Sequence, residues 1–214
     1  MTASNMCETS VFAHLFSERG TESVARAMWE GYKALRTTIR QDRLNEYAKF
    51  YPLAKSAEEA YDKAVSLHNG ANSLTGKLMN DLVAFGLGHL LATWDVEVEQ
   101  KVRVGGKRDI DQKIVLPKGD IYVSTTTIPA ERKDATWKQE LNYISQYVEV
   151  KGIHRPYKFI GLFAEGTRNC SLEQSVKVRE KKQQLAFAGT SAEVVCLQDV
   201  QQTAAVLKKL FDFI

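Results

Sequence analysis

"VEVEQKVRVGGKRDIDQKIVLPKGDIYVSTTTI", residues 96–128, decides the fold. Before it, apolar residues recur at helical steps; inside it the period drops to two. Val96, Val98, Val102 and Val104 fall on one face and Glu97, Glu99, Lys101 and Arg103 on the other, the alternation of a half-buried strand. Gly105-Gly106 signals a hairpin turn, and "DIDQKIVL" (109–116) reads as the returning strand. "PKG" (117–119) predicts a short loop in which Gly119 supplies a positive φ. "DIYVSTTTI" (120–128), stopped by Pro129, is the third strand of an antiparallel meander. That strand carries hydroxyls on both faces (Ser124, Thr125, Thr126, Thr127). Glu131, Arg132, Lys133 and Asp134 stack charge directly behind it.

Upstream, the first 93 residues read as helical. Val24, Met28, Tyr32, Leu35 and Ile39 form one amphipathic stripe. Ser56 and Glu59 make a capping box for a second helix, and "NGAN" (69–72) is the expected end of it. "SLTGKLMNDLVAFGLGHLLATW" (73–94) then reads as a helix apolar around much of its circumference, hence buried on more than one side. Downstream, Trp137, Leu141, Ile144 and Val148 share a helix face, with Gly152 as the C-terminal cap. On that reading Glu149-Val150-Lys151 ends a helix, and Glu99-Gln100-Lys101, the same tripeptide pattern, is a chance match. "YKFIGLFA" (157–164) is a strand buried on both faces. A basic helix at about 171–187, a strand "AEVVCL" (192–197) and a helix "TAAVLKKLFDFI" follow. Helix, three meandering strands, then alternating helices and strands imply an α/β fold: a mixed central sheet flanked by helices.

The bulk numbers restrict the function classes. A chain of 214 residues with 44% hydrophobic content and a formal net charge of +3 suits one globular domain, or one domain with a helical extension. The longest apolar run, "LVAFGLGHLLATW", is too short to span a membrane. The N-terminal "MTASNMCETSVF" has no signal-peptide pattern. Cys7, Cys170 and Cys196 are an odd set without metal-like spacing, so reduced thiols and a cytoplasmic location are expected. His14, His68, His89 and His154 are scattered, and no zinc or phosphate-loop motif occurs.

Asp111 shares a strand face with Asp109, Lys113 and Val115, and Asp120 shares one with Tyr122, Ser124 and Thr126. Mg²⁺ takes hard oxygen ligands, commonly one or two carboxylates with waters and substrate phosphate. A lysine nearby helps where charge develops on the attacking water or the phosphate. The same spacing equally suits a hairpin whose charged side faces solvent. "RTTIRQDR" (36–43) and "KVREKKQQ" (177–184) are basic helical stretches that suit either phosphate contact or a solvated face.

The region from 74 to 165 resembles the PD-(D/E)xK nucleases, the fold of most type II restriction endonucleases. "GKLMNDLVAF" is similar to the family's first helix and "KRDIDQKIVL" to the strand bearing its metal-binding aspartate. Val123-Ser124-Thr125-Thr126-Thr127-Ile128 through Arg132, then Trp137-Lys138-Gln139, resembles its third strand and the segment beyond. The chain departs from the family at three positions. Thr126 stands where the family has lysine, Ser124 where many members have an acid, and Asn80, beside Asp81, where a helix glutamate is common.

The resemblance implies a Mg²⁺-dependent endonuclease acting on specific, palindromic sites in double-stranded DNA as a homodimer. Asp111 would bind the metal, Asp120 or Glu131 would complete the carboxylate set, and Lys113 or Lys133 would orient the water. Ser124 and Thr126 would line the site. Arg36, Arg40, Arg132, Lys138, Arg155, Lys177 and Arg179 would contact DNA. Residues 1–72 would be a helical region for dimerisation or DNA contact, and 73–214 the nuclease-like core. The missing lysine leaves a second reading open: an inactive DNA- or protein-binding module on the same fold.

Overall fold

The computed structural model describes residues 12–94, 96–103, 109–127, 146, 149, 151–164 and 191–214. Two long helices, α1 (Thr21–Phe50) and α2 (Ala57–Leu91), lead into three strands, β1 (Glu97–Arg103), β2 (Asp109–Leu116) and β3 (Gly119–Thr126). Strands β4 (Tyr157–Phe163) and β5 (Ser191–Cys196) and helix α3 (Val200–Lys208) complete the described elements, together with short 3-10 turns. The sheet has five strands in the order β1-β2-β3-β4-β5. The first three pair antiparallel, and β4 and β5 join β3 in parallel. This is an α/β fold with a mixed sheet flanked by helices, as the sequence implies.

The hydroxyl-rich strand β3 is the central one. Every residue from Gly119 to Thr126 is buried. Its apolar positions Ile121 and Val123 join Ile114, Leu116, Ile160, Leu162 and Val195 in one core cluster. Helix residues Met28, Leu82, Val83, Leu87, Val206 and Leu207 belong to the same cluster, so α1, α2 and α3 cover that face. Two glycines let α1 and α2 approach closely. A Cβ at Gly31 would fall 2.9 Å from Leu15 and 3.1 Å from Leu82, and one at Gly86 would fall 2.9 Å from Met28.

Several local expectations are corrected. The helix does not end at "NGAN"; α2 runs unbroken through Asn69–Asn72, so the expected boundary at residues 72 and 73 falls inside it. Gly70 costs about 1 kcal/mol in a helix interior, and burial of Leu67 and Ala71 on one side of the same turns overrides it. Gly119 has no positive φ. It is required for close approach instead, since a Cβ there would lie 2.5 Å from the Pro156 carbonyl oxygen and 2.8 Å from Phe213. Cys196 is disulfide-bonded, against the expectation of reduced thiols. Sequence spacing does not report which sulfurs a fold brings within bridging distance. Cys7 and Cys170 lie outside the described residues.

Glu149 is helical and exposed, and Gly152 adopts φ +59 with its N–H donating to Glu149 O at 3.1 Å, the expected helix end. The turn at Gly105-Gly106, most of the helix carrying Trp137, and the basic helix near 171–187 lie outside the described residues. Among the described residues, no helix is long and apolar enough to cross a membrane.

Candidate functional site

The β2–β3 ladder runs from Leu116↔Gly119 to Gln112↔Val123 and stops there. Beyond that point β3 continues beside β4, while the Asp111 side chain takes up the donors that the missing ladder rungs would have used. Its Oδ2 accepts the Thr125 backbone N–H at 2.7 Å and the Thr125 hydroxyl at 3.3 Å. Its Oδ1 accepts the Asn80 side-chain amide at 2.6 Å. Thr125 also donates its hydroxyl to Asn80 Oδ1. Asn80 is fixed from behind, because Gln112 Nε2 donates to the Asn80 carbonyl at 3.0 Å. One helix and two strands thus converge on a single carboxylate where the strands part.

A strained residue lies on the neighbouring strand β1. Gln100↔Gln112 and Val102↔Ile110 are paired, which sets Lys101 across from Asp111. Lys101 has φ 54, the only positive φ at a described non-glycine residue. For a residue with a Cβ the left-handed conformation costs about 1–2 kcal/mol. Such strain persists where the surroundings enforce it and clusters at functional sites.

Asp120 belongs to a different group. Its carboxylate is 4% exposed and lies 3.7 Å from Lys113 Nζ and 3.6 Å from Arg155 Nη1. Lys113, 12% exposed, also reaches Glu99 at 3.5 Å. Arg155 donates to the Leu116 and Pro117 carbonyls as well, tying the β2–β3 turn to the segment before β4. Five residues of β3 separate Asp120 from Thr125, about 16 Å at strand rise. Oxygens on one Mg²⁺ each sit about 2.1 Å from it. Asp111 and Asp120 therefore do not share a metal, which corrects the expected carboxylate pair. Lys113 is engaged by Glu99 and Asp120, and Arg155 acts as a turn staple.

The other expected residues divide by location. Ser124 and Thr126 are buried on the face of β3 opposite Thr125. The backbone of Thr125, which sequence reasoning passed over, makes the contact to Asp111. Arg36 and Arg40 line a groove of about 330 Å³ on α1 together with Lys33, Thr37, Gln41 and Leu44. Glu131, Lys133, Arg132, Lys138, Lys177 and Arg179 lie outside the described residues.

Two titratable groups away from this point, half-buried His89 and buried Lys158, are shifted by desolvation. Burial holds the His89 imidazole below its ordinary pKa, against a weaker opposing effect of a hydrogen bond with the Glu18 backbone. The ring packs on Phe16 and Phe85 at centroid distances of 5.7 and 6.2 Å. Lys158 is buried, and desolvation lowers its pKa; its ammonium sits 5.5 Å from the centre of the Phe213 ring.

No family model, no curated protein and no solved structure matches the chain.

Proposed function

We propose that the chain is a Mg²⁺-dependent endonuclease of a restriction system, cleaving double-stranded DNA at a specific palindromic sequence as a homodimer. The observation that carries the reading is the convergence of Asn80, Asp111 and Thr125. They stand on the helix, the second strand and the third strand, the three elements to which the PD-(D/E)xK resemblance assigns the metal site. The Asp111 carboxylate with the Asn80 and Thr125 side-chain oxygens is a hard-oxygen set of the kind Mg²⁺ takes, completed by water and phosphate. The ion would supply Lewis-acid polarisation of the phosphoryl group and a more acidic water.

Within this reading Asp111 provides the negative charge, and Asn80 orients it by donating to one of its oxygens. Lys101, across the ladder from Asp111, takes the role expected of Lys113, or shares it with Lys133. Gly31 lies beside Leu82 and Gly86 beside Met28 in the antiparallel helix pair. Lys33 and Arg36 are therefore level with Asn80 and serve to hold the DNA phosphates, a contribution that falls steeply with salt. A two-fold protein matches a two-fold DNA site. The Cys196 disulfide weighs against the reducing cytoplasm expected for this substrate.

A second reading, a non-catalytic DNA- or protein-binding module on the same fold, is favoured by one observation. Both oxygens of Asp111 already accept hydrogen bonds from this chain.

The test is a digest of mixed plasmid and phage DNA, with Mg²⁺ or with chelator, resolved on a gel. Discrete Mg²⁺-dependent fragments, lost in Asp111→Asn, are the expected result. A smear would leave a nuclease without sequence specificity. Intact DNA in every divalent metal tried, with retarded bands, would select the binding module.

A further inference from the structure

The two long helices run on together past the sheet. The core cluster that joins them to it ends at Tyr32 on α1 and begins at Met79 on α2, while α1 continues to Phe50 and α2 starts at Ala57. In this outer part a groove of about 310 Å³ lies between them. Its floor is apolar: Leu44 and Tyr47 come from α1, and Ala64, Leu67 and Ala71 from α2. The two alanines are small, and Leu44 and Tyr47 do not fill the space they leave.

Arg40, Arg43 and His68 complete the lining, and no acidic residue joins them. The three differ in what already holds them. Arg43 pairs with Glu46 at 2.7 Å, and the His68 ring shares Nε2 with the Asn72 amide at 3.1 Å. Arg40 is exposed and, among the described residues, has no ion-pair or hydrogen-bond partner. The sequence accounts for this. Arg26 pairs with Glu22, Lys33 with Glu30 and Arg43 with Glu46, each three or four positions away. The positions three and four from Arg40 hold Arg36, Thr37, Arg43 and Leu44, so its own helix offers it no carboxylate. Arg40 therefore stands between two cations, beside apolar ground, without a counter-charge.

We infer that this groove binds a small amphipathic anion, a carboxylate on a two-ring aromatic or medium-length alkyl body. Small-molecule sites are mostly apolar hollows of about 300–1,000 Å³ in which a few polar groups fix orientation, and the groove has that size and that lining. At about 30 Å³ per water-sized atom it holds roughly ten atoms. The Arg40 guanidinium would take the carboxylate as a two-pronged donor, with Tyr47 and Leu67 against the body. Larger occupants suit it less. The lining covers residues 40–47 and 64–71, about 10 Å along each axis, too short for the roughly 800 Å² that a protein partner buries. A phosphate backbone gains nothing from an apolar floor. Ala71 lies about 13 Å along α2 from Asn80, so the site is separate from Asp111 and the inference does not rest on the nuclease reading.

Calorimetric titration of the whole protein with decanoate and with naphthalene-2-carboxylate tests it. One site per chain is expected, with Kd at or below about 300 µM for the tighter of the two. Decylamine, with the same chain and the opposite charge, should bind at least about tenfold more weakly than decanoate. Arg40→Gln should weaken the tighter anion about tenfold and leave the far-ultraviolet spectrum unchanged, since Arg40 is exposed and unpaired. Ala64→Leu fills the hollow and should abolish binding without lowering the melting temperature; if it disturbs the helix pair, Arg40→Gln still carries the test. Weaker or unsaturable binding of both anions overturns the inference, as does equal affinity for decylamine or an affinity indifferent to Arg40→Gln. A poly-glutamate chain that binds where neither small anion does would overturn it in favour of an acidic protein segment.

Discussion

At the open end of the β2–β3 ladder, Asp111 is held by a backbone amide, a side-chain amide and a hydroxyl, all neutral donors. At the turn end, Asp120 sits between Lys113 and Arg155. Both are aspartates on one hairpin, Asp120 buried and Asp111 half-buried. The difference lies in the partners: dipoles aim the lone pairs of one carboxylate, and two cations neutralise the other. A buried ion pair is a fixture of the fold; a carboxylate oriented by amides and a hydroxyl offers the hard oxygens that Mg²⁺ takes.

The largest expected effect separates the two ends by activity. Asp111→Asn should lower Mg²⁺-dependent cleavage by about a thousandfold, equivalent to roughly 4 kcal/mol. Asp120→Asn, in single-turnover assays matched for folded protein, should stay within about tenfold of wild type. Equal losses in both variants would mean that the hairpin works as one site, and the contrast drawn above would fail. Stability should rank them in the reverse order. Asp120→Ala leaves Lys113 nearly buried with only Glu99 beside it and should cost about 3 kcal/mol in urea denaturation. Asp111→Ala, which strands the Thr125 amide, should cost about 1–2 kcal/mol.

A smaller effect sharpens the comparison. Asn80→Asp puts a second carboxylate against Asp111, where the amide now donates at 2.6 Å. Like charges at that distance should lower the melting temperature in chelator by several degrees, and Mg²⁺ should restore it. If Mg²⁺ raises wild type and variant equally, the open end is not a metal-holding position.

The smallest effect sets the pH baseline for these measurements. Burial disfavours the protonated form of His89, so the unfolded chain binds that proton more readily than the folded one. Stability carries no penalty from His89 well above its ordinary pKa of 6.5. It should decline as pH falls through that value, and the decline should stop once the lower folded-state pKa is passed. His89→Phe should flatten this limb between about pH 7 and 5 in urea denaturation. An unchanged slope would place the acid sensitivity elsewhere.

What the sequence made legible follows from which interactions leave a periodic trace. Strands β2, β4 and β5 were legible within a residue, because alternation or an apolar run marks burial directly. The passage of α2 through Gly70 was not, since the packing that overrides a poor local propensity comes from α1, some 30 residues away. The last helix starts before the Thr203 suggested by its apolar pattern. Asp199 caps it by accepting the Gln202 N–H at 2.9 Å. At the candidate site, the sequence singles out Asp111 but not the Asn80 and Thr125 groups that it meets. Thr125 was hidden because it acts through its backbone N–H, which no side-chain pattern reports. The separation of Asp111 from Asp120 was hidden too: they are near in sequence, but a hairpin places them at opposite ends of its ladder.

The sheet order has a consequence for how the chain reaches this state. The helix pair and the three-strand meander join neighbouring segments, whereas Thr126 pairs with Phe163 and Phe163 with Cys196 across long intervening stretches. Closing such loops is slow relative to hairpins and helix pairs. Contacts of the C-terminal segment reach far back along the chain: Gln201 donates to Glu22, and Lys118 donates its N–H to the Phe213 carbonyl. A nascent chain can therefore assemble its helices and meander on the ribosome, but β3 keeps an open flank until β4 and β5 have emerged. During that interval the central strand is the segment most exposed to pairing with the wrong neighbour.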